Sequence, residues 1–149
     1  MNIEIDQSGK IEDTSKNTVV AFSNGKSKSI FIGAKNKREI QKFFRMAEKP
    51  RVFVYRLFAI LIFLLIKDDL KNIDRIIIDI EYPGWDHQIK DYLLFEIRKV
   101  NPKFSKNNII FELVGKKSRA HLIAYGTTQR KREPDIKVGS KDILKFVLR

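Results

Sequence analysis

A chain of 149 residues with 43% apolar side chains has the size and composition of one compact domain that buries its own core, so a single domain over residues 1–149 is expected. It contains no cysteine, which excludes a disulfide framework, a thiolate metal site and a cysteine nucleophile, and suits a reducing cytosol. The formal net charge of +12 attracts polyanions, which makes nucleic acid the leading partner class and an anionic membrane surface the second.

In chain order, residues 1–7 alternate as a strand and end with Asp6 just before a Ser8-Gly9 turn. Two more strands follow over 17–23 and 29–33, separated by the Asn24-Gly25 turn signal, so three antiparallel strands are expected. Asn36 can cap a helix from Lys37, in which Ile40, Phe43, Phe44 and Ala47 keep helical spacing until Pro50 breaks it.

The run Leu57 to Ile66 is uninterruptedly apolar. It falls short of the roughly 18 residues that a spanning helix requires, so it reads as a helix buried on nearly all sides or shared with a second copy. The first residues lack a basic region followed by an apolar one, so no secretory signal is expected and the location is read as cytoplasmic.

Arg75 to Tyr82 is apolar enough for a central strand and is stopped by Pro83-Gly84. Residues 87–100 have helical spacing, 108–114 read as a fifth strand, and a helix is expected over about 117–129. A loop rich in Arg, Lys and Pro leads to a last helix from Ser140 to Leu148.

Three strands, a helix, a strand, a helix, a strand and C-terminal helices form the order in which the chain resembles the ribonuclease H-like superfamily, and within it the RuvC-type resolvases. The resemblance is carried by Ile5-Asp6-Gln7-Ser8-Gly9, by Ile80-Glu81 and by Lys141-Asp142-Ile143-Leu144 in the last helix. It implies an α/β fold with a five-stranded mixed sheet, three antiparallel strands and then parallel ones, flanked by helices. It also implies a homodimer, the form in which junction-cleaving relatives act.

In that fold the first and fourth strands are parallel neighbours, so acids at their ends face one another across about 4.8 Å. Such a pair repels unless a cation lies between, and a strand-end crevice is where open sheets place ligands. The resemblance thus implies Asp6, Glu81 and Asp142 as catalytic, with Asp79, on the same strand face as Glu81, and Asp135 as further metal ligands. Hard oxygen donors favour Mg²⁺ or Mn²⁺, and two such ions about 3.5–4 Å apart can drive phosphodiester hydrolysis.

Lys116, Lys117, Arg119, Arg130, Lys131 and Arg132 are candidates for holding phosphates, and Trp85, with Tyr82, for stacking on an unpaired base. His121 is a candidate ligand or base. The function expected is a metal-dependent nuclease acting on structured or branched nucleic acid.

Each of these residues has a plainer reading. Asp6 can cap a turn, Asp79 can pair with a basic neighbour, Asp142 suits the first turn of a helix, and His121 can be an ordinary half-buried histidine. Active relatives commonly carry a further acid, and Glu39 and Glu48 on the first helix lack a convincing spacing. The alternative is a noncatalytic nucleic-acid-binding or scaffold protein on the same fold, with residues 57–66 as a dimer face; a peripheral membrane protein comes third.

Overall fold

The computed structural model describes residues 1–113, 119–129 and 132–148. Strands β1 (Asn2–Ser8), β2 (Thr18–Asn24) and β3 (Lys26–Ile32) form an antiparallel meander. The turn after β1 passes through Gly9 at φ 78°, where a Cβ would collide with the Asn17 carbonyl, so this tight exit requires glycine. Gly25, at φ 65°, turns β2 into β3 at the Asn-Gly signal.

Helix α1 (Ala34–Met46) buries Lys37, Ile40 and Phe44 along one stripe. It starts three residues before the position expected from Asn36: Gly33 is the cap, and the Ala34 N–H donates to Asn17 Oδ1 at 3.0 Å. Asn36 instead accepts from the Ser140 N–H at 2.9 Å, so its side chain serves the start of the last helix. A short turn at Pro50–Val52 leads into α2 (Phe53–Ile66), in which every residue from Leu57 to Ile66 is at most 7% exposed. The dimer-face reading of this run is therefore corrected, because its own chain covers it. Among the described residues, no helix is long and apolar enough to cross a membrane.

Strand β4 (Arg75–Asp79) pairs parallel with β1, and β5 (Ile109–Glu112) pairs parallel with β4; α3 (Asp86–Val100) lies between them in sequence. After β5 come α4 (Arg119–Thr128), β6 (Ile136–Val138) and α5 (Ser140–Val147). Among the described residues the sheet has six strands in the order β5-β4-β1-β2-β3-β6. The fold is thus α/β with a mixed sheet, and five α-helices flank it among the described residues.

The sixth strand corrects the expected five. β6 is three residues long and pairs parallel with the outer edge of β3, inside the stretch read from sequence as a loop. Three residues are too few to carry a two-residue alternation.

The two faces of the sheet are unlike. Ile3, Ile5, Val20, Phe22, Ile30, Ile32, Ile76 and Ile78 join α2 in the main core, which also takes Ile89, Leu93 and Ile97 of α3 and Ile143 and Phe146 of α5. On the opposite face Val19 and Ala21 pack with Ile123 and Ala124 of α4. Since residues alternate along a strand, Asp6 and Asp79 point away from the main core, to the α4 side.

Candidate metal centre

Two adjacent parallel strands bring the first acids together. β1 and β4 are paired up to Ile5 and Ile78, so Asp6 and Asp79 come next in register at the same end of the sheet. Glu81 stands in the bend beyond β4, which ends at Asp79 and not at Tyr82 as the sequence suggested. Each of Asp6, Asp79 and Glu81 offers a carboxylate oxygen within 4.8 Å of the others. Asp6 is buried, and the other two are half-buried.

The bend is held from below by aromatic packing. Tyr82 is 6% exposed and packs edge-on against Tyr55 and Phe58. Its hydroxyl lies 2.9 Å from Gln7 Nε2 and accepts from the Ile11 N–H at 3.3 Å. Trp85 stacks on Tyr55 with centroids 4.1 Å apart. The base-stacking role expected for Tyr82 is therefore corrected, since its ring lies in the core, and Trp85 already has Tyr55 on one face.

Asp6 is oriented at both oxygens. The Gln7 N–H donates to Oδ1 at 2.8 Å, and His121 Nδ1 lies 2.8 Å from Oδ2. With Asp6 ionised, this contact requires the proton on Nδ1, which leaves Nε2 as the acceptor nitrogen of the neutral ring. His121 comes from the first turn of α4 and lies parallel to the Tyr125 ring one turn further on, with centroids 6.2 Å apart.

Crowding has an electrostatic consequence. Burial pushes the Glu81 carboxyl up to about 9, with a further rise from its hydrogen bonds to Asp79 and Asp6 and from their negative charge. Without a cation, Glu81 holds a proton that bridges it to its neighbours. Among the described residues no lysine or arginine ion pair falls on Asp6 or Glu81, although the chain carries 30 such cations. Three hard oxygen donors in a place that excess negative charge makes unfavourable could hold a metal ion.

The other candidates lie elsewhere. Asp142 Oδ2 accepts from the Gly139 N–H at 2.8 Å, which closes the first turn of α5. That helix packs with α1 and α2 on the main-core side of the sheet, so Asp142 does not join the three acids. Asp135 Oδ2 accepts from the Ser29 N–H at 2.8 Å and fastens the approach to β6. Glu39 Oε2 accepts from the Ser140 hydroxyl at 2.6 Å.

Of the cations read as phosphate ligands, Arg119 is exposed at the start of α4, and Arg132 Nη2 donates to Ser27 Oγ at 3.0 Å, at the start of β3. Lys116, Lys117, Arg130 and Lys131 lie outside the described residues.

One residue that sequence reasoning passed over is Lys37. It is fully buried, and its Nζ donates to the Lys10 and Asp13 carbonyls at 3.1 and 2.8 Å and to Thr18 Oγ1 at 2.9 Å. This ammonium gathers the loop that follows Asp6 onto α1. Its signal was its place on one helical stripe with Ile40 and Phe44.

Comparison with protein-family models, with curated proteins and with solved structures finds no match to this chain.

Proposed function

We propose that the chain is a ribonuclease H-like nuclease that hydrolyses phosphodiester bonds in structured or branched nucleic acid, with Mg²⁺ or Mn²⁺ held by Asp6, Asp79 and Glu81. The observation that carries this reading is the convergence of these three carboxylates at the ends of two adjacent parallel strands. The mixed sheet, in which a three-stranded meander continues into parallel strands on the β1 side, is the arrangement that the family resemblance implies.

When bound, the metal supplies Lewis acidity to the phosphodiester and to the water that attacks it. The chain's own residues prepare the place. Asp6 is fixed by the Gln7 amide and by His121, so its carboxylate needs little reordering to accept a cation. Glu81 gives up its proton as the positive charge arrives. His121 holds Asp6 in position through Nδ1. The net charge of +12 draws the polyanion toward the protein.

The test is cleavage of labelled linear duplex, single strand and four-way junction by purified protein with Mn²⁺ or Mg²⁺. Wild type is expected to cut at least one of them, while Asp6→Asn retains its fold and cuts none. A wild-type protein that leaves all three intact in either metal ends the proposal.

A further inference from the structure

Helix α1 carries a second organised charge feature. Lys35, Arg38, Lys42 and Arg45 follow one another at three- and four-residue intervals, so they share one face of the helix over about 15 Å, and all four are exposed. Lys49 and Arg51 continue the series on the exposed turn beyond. Among the described residues no ion pair involves any of these six, whereas Lys16, Lys26, Lys28, Lys99, Lys106 and Lys137 are each paired with an acid. The row is therefore exposed to solvent without an acidic partner, and what sets it apart from single unpaired cations such as Lys71, Lys103 and Lys141 is its alignment along one helix face.

Two further observations identify what the row suits. It is rigidly placed: Lys37 and Arg38 tie α1 to the loop after β1, the latter through Arg38 Nη1 donating to the Thr14 carbonyl at 2.7 Å. It also lacks a stacking surface, because Phe44 is buried and Phe43 packs edge-on against it. A straight row of cations without aromatic rings fits the regular phosphates of a duplex, whereas single strands are held by base stacking as well as charge.

We propose that the α1 row is the docking surface for the phosphate backbone of a nucleic-acid duplex. β1 and β3 are both antiparallel to β2, so they run the same way, and α1 begins two residues after β3 at the sheet edge that carries Asp6 and Asp79. α1 packs on the main-core side of the sheet and Asp6 and Asp79 point to the α4 side, so a duplex lying along α1 meets the acids only by passing round that edge. This inference rests on the nuclease reading for the identity of the polyanion.

The test is the salt dependence of binding to a labelled DNA duplex, measured in EDTA so that cleavage plays no part. Lys35→Gln/Lys42→Gln/Arg45→Gln is compared with Lys71→Gln/Lys103→Gln/Lys141→Gln, a triple of exposed lysines with the same loss of charge. The slope of log affinity against log salt is expected to fall by about 2.7 for the first triple, at about 0.9 for each lost phosphate contact, and by less than about 0.9 for the second. The single variant Lys42→Gln is expected to lower it by about 0.9 and guards against a triple that misfolds.

Equal effects of both triples, or an unchanged slope in the first, overturn the docking surface; so does a loss of binding to phosphatidylserine vesicles with duplex binding intact. The two readings fail separately. Duplex binding that depends on the row without any cleavage in Mn²⁺ removes the nuclease and leaves the docking surface, and cleavage with a row-independent slope does the reverse.

Discussion

Gln7 and Tyr82 are joined side chain to side chain at 2.9 Å, and each directly follows one of the clustered acids, Asp6 and Glu81. The buried link between the second members of the two pairs fixes the distance between the first members. Tyr82 is thus a positioning residue that reaches the candidate metal centre only through the backbone. Tyr82→Phe keeps the ring in its aromatic nest and leaves the Gln7 amide without its partner, which costs about 1–3 kcal/mol. Urea denaturation is expected to show that loss, and Mn²⁺ titration a weaker affinity. Unchanged Mn²⁺ affinity in a destabilised Tyr82→Phe protein would limit the link to a structural role.

Metal binding is expected to stabilise the fold and to depend on pH. Mn²⁺ at 100 times its Kd raises stability by about 2.7 kcal/mol, visible as an upward shift in thermal midpoint that Asp6→Asn abolishes. Glu81 titrates at about 9 in the metal-free fold against an ordinary 4.5, so between these values the native chain holds a proton that the unfolded chain has released. Its contribution to stability is complete below pH 4.5 and disappears as pH rises through 9. Cation binding expels this proton, so Mn²⁺ affinity rises with pH, by up to about tenfold per unit below 9. Calorimetry in buffers of different ionisation heat measures the released proton, and a pH-independent Kd between 6 and 8 contradicts the prediction.

Asp142 and Asp6 are expected to separate by function. Asp142→Ala removes the acceptor for the Gly139 N–H and costs about 0.5–2 kcal/mol, with cleavage retained once the protein is folded. Asp6→Asn has the opposite profile: small effect on folding, complete loss of cleavage. Loss of turnover in a fully folded Asp142→Ala protein would bring that residue back into the site.

Lys37 gives a second pH signature, of opposite sign. Burial lowers its ammonium from 10.5 to about 8, so between these values the unfolded chain binds the additional proton and stability rises with pH. Below about pH 8 both states are protonated and the contribution is constant. Lys37→Met deprives three oxygens of their donor and costs about 1–3 kcal/mol at neutral pH. The stability difference between wild type and Lys37→Met is expected to widen from pH 8 to pH 10, and chemical denaturation at these two values decides it.

What could be read from the sequence follows from locality. The alternation of Ile3 and Ile5, the Asn24-Gly25 turn and the apolar run of α2 are signals contained within a few residues, and the elements they mark are present. Asp6, Asp79 and Glu81 were legible as strand-end acids because two strand ends repeat the same pattern of apolar run, acid and turn. Nonlocal partners were not legible. Asn36 has the composition of a cap for its own helix and serves Ser140, which lies 104 residues away. Asp142 resembles a family motif, yet an acid in a first helical turn satisfies its own backbone equally well. Lys37 was passed over because a lysine is seldom buried, and only three acceptors from another segment make its burial tolerable.

Chain order gives Asp6 a further duty. The β1–β3 meander is synthesised within the first 32 residues, whereas β4, the strand that covers the other side of β1, begins at Arg75. Until β4 arrives, β1 is an uncovered edge able to recruit a strand from another nascent molecule. Glu4 and Asp6 place two negative charges along that edge, where a copy of the same strand would bring its own two into opposition. Asp6, which crowds the finished centre, thus also discourages self-association during folding.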